Sequence, residues 1–345
     1  MTRLALVDDG LFDEHRARGY HPERPERLVA ARRALVTAQA RGITLERLAP
    51  RDAETSELLR VHTEQYLELL ERNNGLFAAI DDDTYLTPRS VAAAYRAAGG
   101  SLSLVEALLD PDGPRKGLAV LRPPGHHARP DRGMGFCLVN NVAVAAAHAR
   151  AKGVERVAIV DWDVHHGNGT EEAFLNDPNV LFVSVHQYPF YPGTGRATDV
   201  GVKDGRGFTV NVPLSPAATD ATYRSVFREL VLPVVNRFEP QLILVSAGFD
   251  AHARDPLAAM SLTHEGFGWM ASELSRVADA HAGGKLGVFL EGGYDLEGIE
   301  TSLDATISRL FDPMGESTTP VTPLLDEHLA ELKEARRALS GFWPV

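Results

Sequence analysis

A single cysteine, Cys137, stands in the whole chain, so no disulfide can form within it, which fits a reducing compartment. No apolar run is long enough to span a bilayer, and this excludes an integral helical membrane protein. Met1 to Gly10 carries acidic residues where a secretory leader would hold its apolar stretch, so no signal peptide is expected. Runs rich in lysine and arginine are missing as well, and the formal net charge is −12. That combination argues against a basic nuclear address and against direct nucleic-acid binding. It suits a soluble enzyme, or one with a cationic substrate. Internal repeats and low-complexity linkers are also missing. The expectation is a soluble, cytoplasmic protein with neither a membrane nor a nucleic-acid partner.

What the chain does have is an ample apolar complement, 44% of 345 residues, and a regular alternation of patterns. Short runs rich in β-branched residues recur at Leu4–Val7, Leu118–Leu121, Val157–Val160, Val180–Val185, Phe208–Val212, Leu242–Val245 and Leu286–Leu290. Near-continuous apolar strands are buried on both faces, as in a parallel sheet. Between them, helical spacing runs over Val91–Leu109, Val142–Lys152, Ala221–Phe238, His264–Ala280 and Leu296–Leu310. This alternation predicts one doubly wound α/β sheet. Pro22 and Pro25 predict a rigid loop before an early helix. Thr318–Pro323 reads as a loop before a last helix around Leu324–Leu339.

Four of the strands run into unusual residues. These are Arg122-Pro-Pro-Gly-His-His-Ala128, Asp161-Trp-Asp-Val-His-His-Gly-Asn-Gly169, Ser246-Ala-Gly-Phe-Asp-Ala-His252 and Glu291-Gly-Gly-Tyr-Asp295. The carboxyl ends of parallel strands share one edge of the sheet, so these residues can meet in one crevice. Asp163 and His165, two apart on extended chain, point the same way. With Asp250 they offer a divalent metal three ligands and leave a coordination position open, the arrangement of a catalytic site. Such an ion lowers the pKa of a water towards about 7. His126 and His127 arrive beside it, and one can serve as general base and then as acid. Asp161 and Asn168 are candidate partners that set their tautomers. Tyr294 can donate to an oxyanion.

Together and in this order, the four motifs resemble the metal-dependent histone deacetylase and acetylpolyamine amidohydrolase superfamily, from about His21 to beyond Tyr294. The resemblance implies the arginase/deacetylase fold. That is a single α/β domain over 1–345, with a central parallel sheet of about eight strands and helices on both faces. It implies zinc, or iron(II) in the cell, on Asp163, His165 and Asp250. His127 matches the general base and acid, with His126 its electrostatic partner, Asp161 the carboxylate on His126, Asn168 the residue facing His127, and Tyr294 the catalytic tyrosine. Class I members carry aspartate where Asn168 stands, so the chain is similar to class II and its bacterial counterparts.

The same resemblance places Gly135, Phe136 and Tyr191 along an acyl-lysine channel, Leu257 at its rim and, more loosely, Asp83 as a polar rim contact. Glutamate at the Leu257 position marks polyamine-selective members, so leucine leans towards acyl-lysine. A structural potassium ion is implied on Asp161, Ser184 and the carbonyls of Asp163, His165 and Val185. The expected activity is removal of acetyl or other acyl groups from lysine side chains of a peptide or protein. Deacetylation of acetylated polyamines, a silent acyl-lysine binding module and a two-metal ureohydrolase are the alternatives. Oligomer formation is left open. Of the remaining residues, Cys137 reads as packing, His186, His252 and His264 as structural, and Arg24 and Arg27 as surface or helix-start charges. Asn168 has a second reading as a helix cap.

Overall fold

The computed structural model describes residues 2–312 and 324–345. Its strands are β1 (Arg3–Val7), β2 (Thr44–Arg47), β3 (Ala78–Ala79), β4 (Tyr85–Leu86), β5 (Lys116–Ala119), β6 (Val157–Asp161), β7 (Val180–Gln187), β8 (Thr209–Leu214), β9 (Leu242–Ala247) and β10 (Leu286–Leu290). Eight of them form one sheet in the order β2-β1-β5-β10-β9-β6-β7-β8, and every pairing in it is parallel. β3 and β4 make a separate antiparallel hairpin. Each residue of β5, β6, β7, β9 and β10 is buried, inward and outward alike. That burial explains the unbroken apolar runs, because crossover helices pack around the sheet. The arginase/deacetylase architecture expected from the motifs is the one found.

The order of strands matters for function. β5, β10, β9 and β6 are neighbours at the centre of the sheet. They are the four strands that run into the histidine pair, the Gly-Gly-Tyr turn, the Asp250 loop and the Asp163–His165 loop.

The structure departs from the sequence pattern in three places. β2, Thr-Leu-Glu-Arg, was invisible to a search for apolar runs because it is an edge strand, half exposed along its length. β5 ends at Ala119, two residues before the apolar run does, and Val120 to Leu121 continue into the loop. The helix expected over Ala221–Phe238 is interrupted. It runs Asp220–Val226, widens to one π-helical turn over Phe227–Val231, and resumes at Leu232–Phe238. Pro233 has no N–H for an α-helical bond, and the wider turn just before it makes room for its ring. The loop expected at Thr318–Pro323 lies outside the described residues. Among the described residues, no helix is long and apolar enough to cross a membrane.

Candidate active site

At the carboxyl edge of the four central strands, the structure brings the predicted residues together. His165 Nδ1 lies 3.0 Å from Asp163 Oδ1 and 3.2 Å from Asp250 Oδ2. The ligand atoms of Asp163, His165 and Asp250 all fall within 4.8 Å of one another, close enough to hold one metal ion. Both carboxylates are fully buried. Backbone N–H groups orient them: Val164 donates to Asp250 Oδ1 at 2.9 Å and Gly292 to Asp163 Oδ2 at 2.7 Å. Asp250 Oδ2 makes no well-directed hydrogen bond, although His165 Nδ1 stands 3.2 Å away. A buried carboxylate oxygen with no well-aligned donor is unfavourable, and a cation would satisfy it. Two oxygens and one nitrogen are donors that zinc and iron(II) both accept. A divalent ion therefore fits the residues present. Gly292 gives the cluster its space, since a Cβ there would stand 2.6 Å from Asp163 Oδ2 and closer still to Asp250 Oδ2.

The histidine pair stands beside this cluster with ring centroids 4.0 Å apart. Glu291, just past β10, accepts the N–H groups of Gly125 and His126 at 2.6 and 3.1 Å and ties their loop to the turn that carries Tyr294. His126 Nδ1 lies 3.0 Å from Asp161 Oδ2. His127 Nδ1 donates to Asn168 Oδ1 at 2.8 Å, while the Asn168 amide nitrogen donates to Met134 Sδ. An amide oxygen can only accept, so His127 carries its proton on Nδ1 and keeps a free lone pair on Nε2.

A cavity of about 250 Å³ leads to these groups, and Gly135, Phe136, Tyr191, Leu257, Asp83, His126, His127, His165 and Tyr294 all line it. The Phe136 ring meets Tyr294 edge-on at 5.9 Å, and Tyr191 meets His127 edge-on at 5.2 Å. Gly135, at φ 54°, lets the backbone pass so close that a Cβ would lie 2.5 Å from His127 Cδ2. Asp83 and Tyr191 are exposed at the mouth, and Leu257 is half-buried.

A family model described as the histone deacetylase domain matches residues 21–310. The chain belongs to the histone deacetylase family. It is similar to a probable deacetylase of Archaeoglobus fulgidus, 42% identical over 289 residues, covering 83% of this chain and 79% of that one. It is also similar to the polyamine deacetylase HDAC10 of Homo sapiens, 40% identical over 342 residues, covering 93% of this chain and 49% of that one. The crystal structure of the HDA15 HD domain aligns with a TM-score of 0.92 at 37% identity, covering 100% of this chain and 96% of that one.

Within this deacetylase-family site, the two histidines sit in opposite electrostatic surroundings. Burial disfavours a charged His126, but Asp163 and Asp161 outweigh it and push its pKa up to about 10. Burial and the neighbouring His126 and His165 hold His127 well below the ordinary histidine range. Burial also holds the Tyr294 hydroxyl protonated, well above the usual tyrosine value.

Two readings of single residues need correction. Arg27 is no surface charge: it is fully buried, donates from Nε to the Gly293 carbonyl at 2.6 Å and from Nη2 to the Glu291 carbonyl, and pairs with Glu23 at 3.1 Å. The Glu23-x-x-x-Arg27 spacing was the available signal, but its partners lie over 260 residues away. Asn168 is not a helix cap. The helix Asn168–Phe174 begins at Asn168 itself, and its side chain turns to His127 instead. Three further residues were given no role from the sequence: Glu23, which forms a buried ion pair with Arg122 at 2.8 Å, Glu291, and Asp255 behind Tyr294. Phe190, stacked on His165 at 5.2 Å, adds a second aromatic beside Tyr191. Ser184 pairs with Asp161 across β6 and β7, and its hydroxyl lies 2.9 Å from His186 Nδ1.

Proposed function

We propose that this chain is a metal-dependent deacetylase that hydrolyses the acetyl-amide bond of acetylated lysine side chains in peptides or proteins. The observation that carries the reading is the meeting of Asp163, His165 and Asp250 beneath a cavity walled by His127 and Tyr294. Asp163, His165 and Asp250 would hold the ion, zinc or iron(II). When bound, it supplies Lewis acidity to the amide carbonyl and acidity to a water. Phe136 and Tyr191 grip the aliphatic stem of the substrate by apolar contact. His127 Nε2 takes a proton from the attacking water, because burial keeps the ring neutral and Asn168 occupies Nδ1. The same nitrogen returns the proton to the departing amine. His126, charged and held by Asp161, favours negative charge developing on the substrate. The Tyr294 hydroxyl donates to the same developing oxyanion. The products are acetate and the free amine.

Asp161 and Ser184, with the carbonyls of Asp163, His165 and Val185, would seat a potassium ion that stiffens the loop carrying the ligands. The chain would act as one deacetylase domain over 1–345, in the cytoplasm. Leu257 puts an uncharged side chain at the rim, and this favours acyl-lysine over a polycationic acetylamine. A silent binding module would lack a ligand or the tyrosine, and the site has both. The test compares hydrolysis of an acetyl-lysine peptide with that of N-acetylputrescine on the metal-loaded enzyme. A higher kcat/KM for the peptide is expected. A large preference for the polyamine would reverse the choice of substrate, and hydrolysis of neither would overturn the reading.

A further inference from the structure

We propose that Asp255 is the positioning residue for Tyr294, an inference that rests on the reading of Tyr294 as the oxyanion donor. Asp255 is a carboxylate only 8% exposed. The adjoining Arg254 turns outward, to Asp295 at 3.0 Å and Glu297 at 2.8 Å. Backbone N–H groups meet the Asp255 carboxyl instead. Oδ2 accepts from Tyr294 at 2.7 Å and from Asp295 at 3.3 Å, and Oδ1 accepts from Leu257 at 3.0 Å.

The other end of the peptide group that leads into Tyr294 is also held. The Gly293 carbonyl accepts from the buried Arg27 guanidinium at 2.6 Å. A buried guanidinium thus grips the carbonyl, and a buried carboxyl oxygen the N–H, of one and the same peptide. Gly293 sits at φ 110°, in a region open to glycine, and glycine by itself leaves that peptide plane free to turn. The tyrosine hydroxyl stands about 6.5 Å from its own Cα, so a tilt of about 10° at the backbone moves it by about 1 Å. Displacement of that size in a donor aimed at a developing charge lowers rate on the order of 10²-fold. Asp255 also holds the N–H of Leu257 in the cavity wall, so one carboxylate sets the spacing between that wall and the tyrosine.

The experiment is a double-mutant cycle on the metal-loaded enzyme, with Asp255→Asn, Tyr294→Phe and the double variant. Acetyl-lysine peptide is the substrate, and melting temperature and bound metal are read alongside. Asparagine keeps the shape but can accept on one side only, so one of the two loops loses its acceptor. Asp255→Asn is expected to lower kcat on the order of 10²-fold with KM within about 3-fold and the metal retained. In the Tyr294→Phe background the same change should alter kcat by less than about 2-fold, because Asp255 acts through the missing hydroxyl. Equal losses in both backgrounds, or no loss in either, would overturn the inference. Wild-type turnover in Tyr294→Phe alone would overturn the reading of Tyr294 itself, and this inference with it. Should Asp255→Asn fail to fold, Asp255→Ser carries the same comparison.

Discussion

Gly292→Ala probes the metal cluster without removing any ligand. Gly292 is not among the residues at positive φ, so alanine meets no backbone strain there. The added methyl, however, would lie 2.6 Å from Asp163 Oδ2 and nearer still to Asp250 Oδ2. Neither carboxylate can swing aside freely. Asp250 is anchored by Val164 N–H at 2.9 Å, Asp163 by Gly292 N–H at 2.7 Å, and both are fully buried. Relief needs shifts of more than about half an ångström, whereas metal–ligand distances tolerate about 0.2 Å. Metal affinity should therefore fall by about 10- to 100-fold, the range seen when groups supporting metal ligands are disturbed. That corresponds to about 1.4 to 2.8 kcal/mol. The assay is a competition titration of the apoprotein against a chromophoric chelator, with zinc and with iron(II), alongside the melting temperature of the apoprotein. Wild-type affinity in Gly292→Ala would refute the steric reasoning and with it the placement of the ion between the two carboxylates.

Other consequences concern charge. Glu23 is fully buried; burial opposes its ionisation, but Arg122 and then Arg27 and His15 hold its pKa down to about 2, against 4.5 in the unfolded chain. Stability from this carboxylate is fully present above pH 4.5 and is lost as pH falls towards 2, on the order of 3 kcal/mol in all. Acid unfolding followed by circular dichroism should show this loss, and a Glu23→Gln variant should be less stable at pH 7 with a flatter profile below pH 4.5. An unchanged melting temperature in Glu23→Gln would contradict the ion-pair account. Asn168→Asp would set a carboxylate against His127 Nδ1, 2.8 Å away in the native contact, and so favour the imidazolium. Because the base must be unprotonated, the acid limb of kcat/KM should move up by about one to two pH units. A profile that stays in place would remove His127 from the role of base.

The sheet was legible in the sequence because its strands are local signals. Val157–Asp161 or Leu286–Leu290, buried on both faces, must be apolar throughout whatever else the chain does. The site was legible for a related reason: each cluster of chemistry sits on the few residues just past such a strand, so finding the strand finds the motif. What stayed hidden depends on partners far away in the chain. Arg27 has the look of any charge at a helix start, and only the fold brings it under Gly293 and Glu291. Asp255 reads as a turn residue before Pro256, since nothing nearby announces that Tyr294 N–H will arrive at 2.7 Å. β2 was missed because an edge strand with one half in water has no need of an apolar pattern.

The most direct measurement is metal content set beside turnover in one preparation, for the native chain and for Asp250→Ala. The native protein should carry about one divalent ion per chain, lose deacetylation on chelation and regain it when the ion is restored. Asp250→Ala, which removes one of three ligands, should hold no ion at micromolar metal and cleave no acetyl-lysine peptide. An Asp250→Ala protein that keeps its ion, or a chelated native protein that still turns over, would contradict the assignment of Asp163, His165 and Asp250 as the reacting centre.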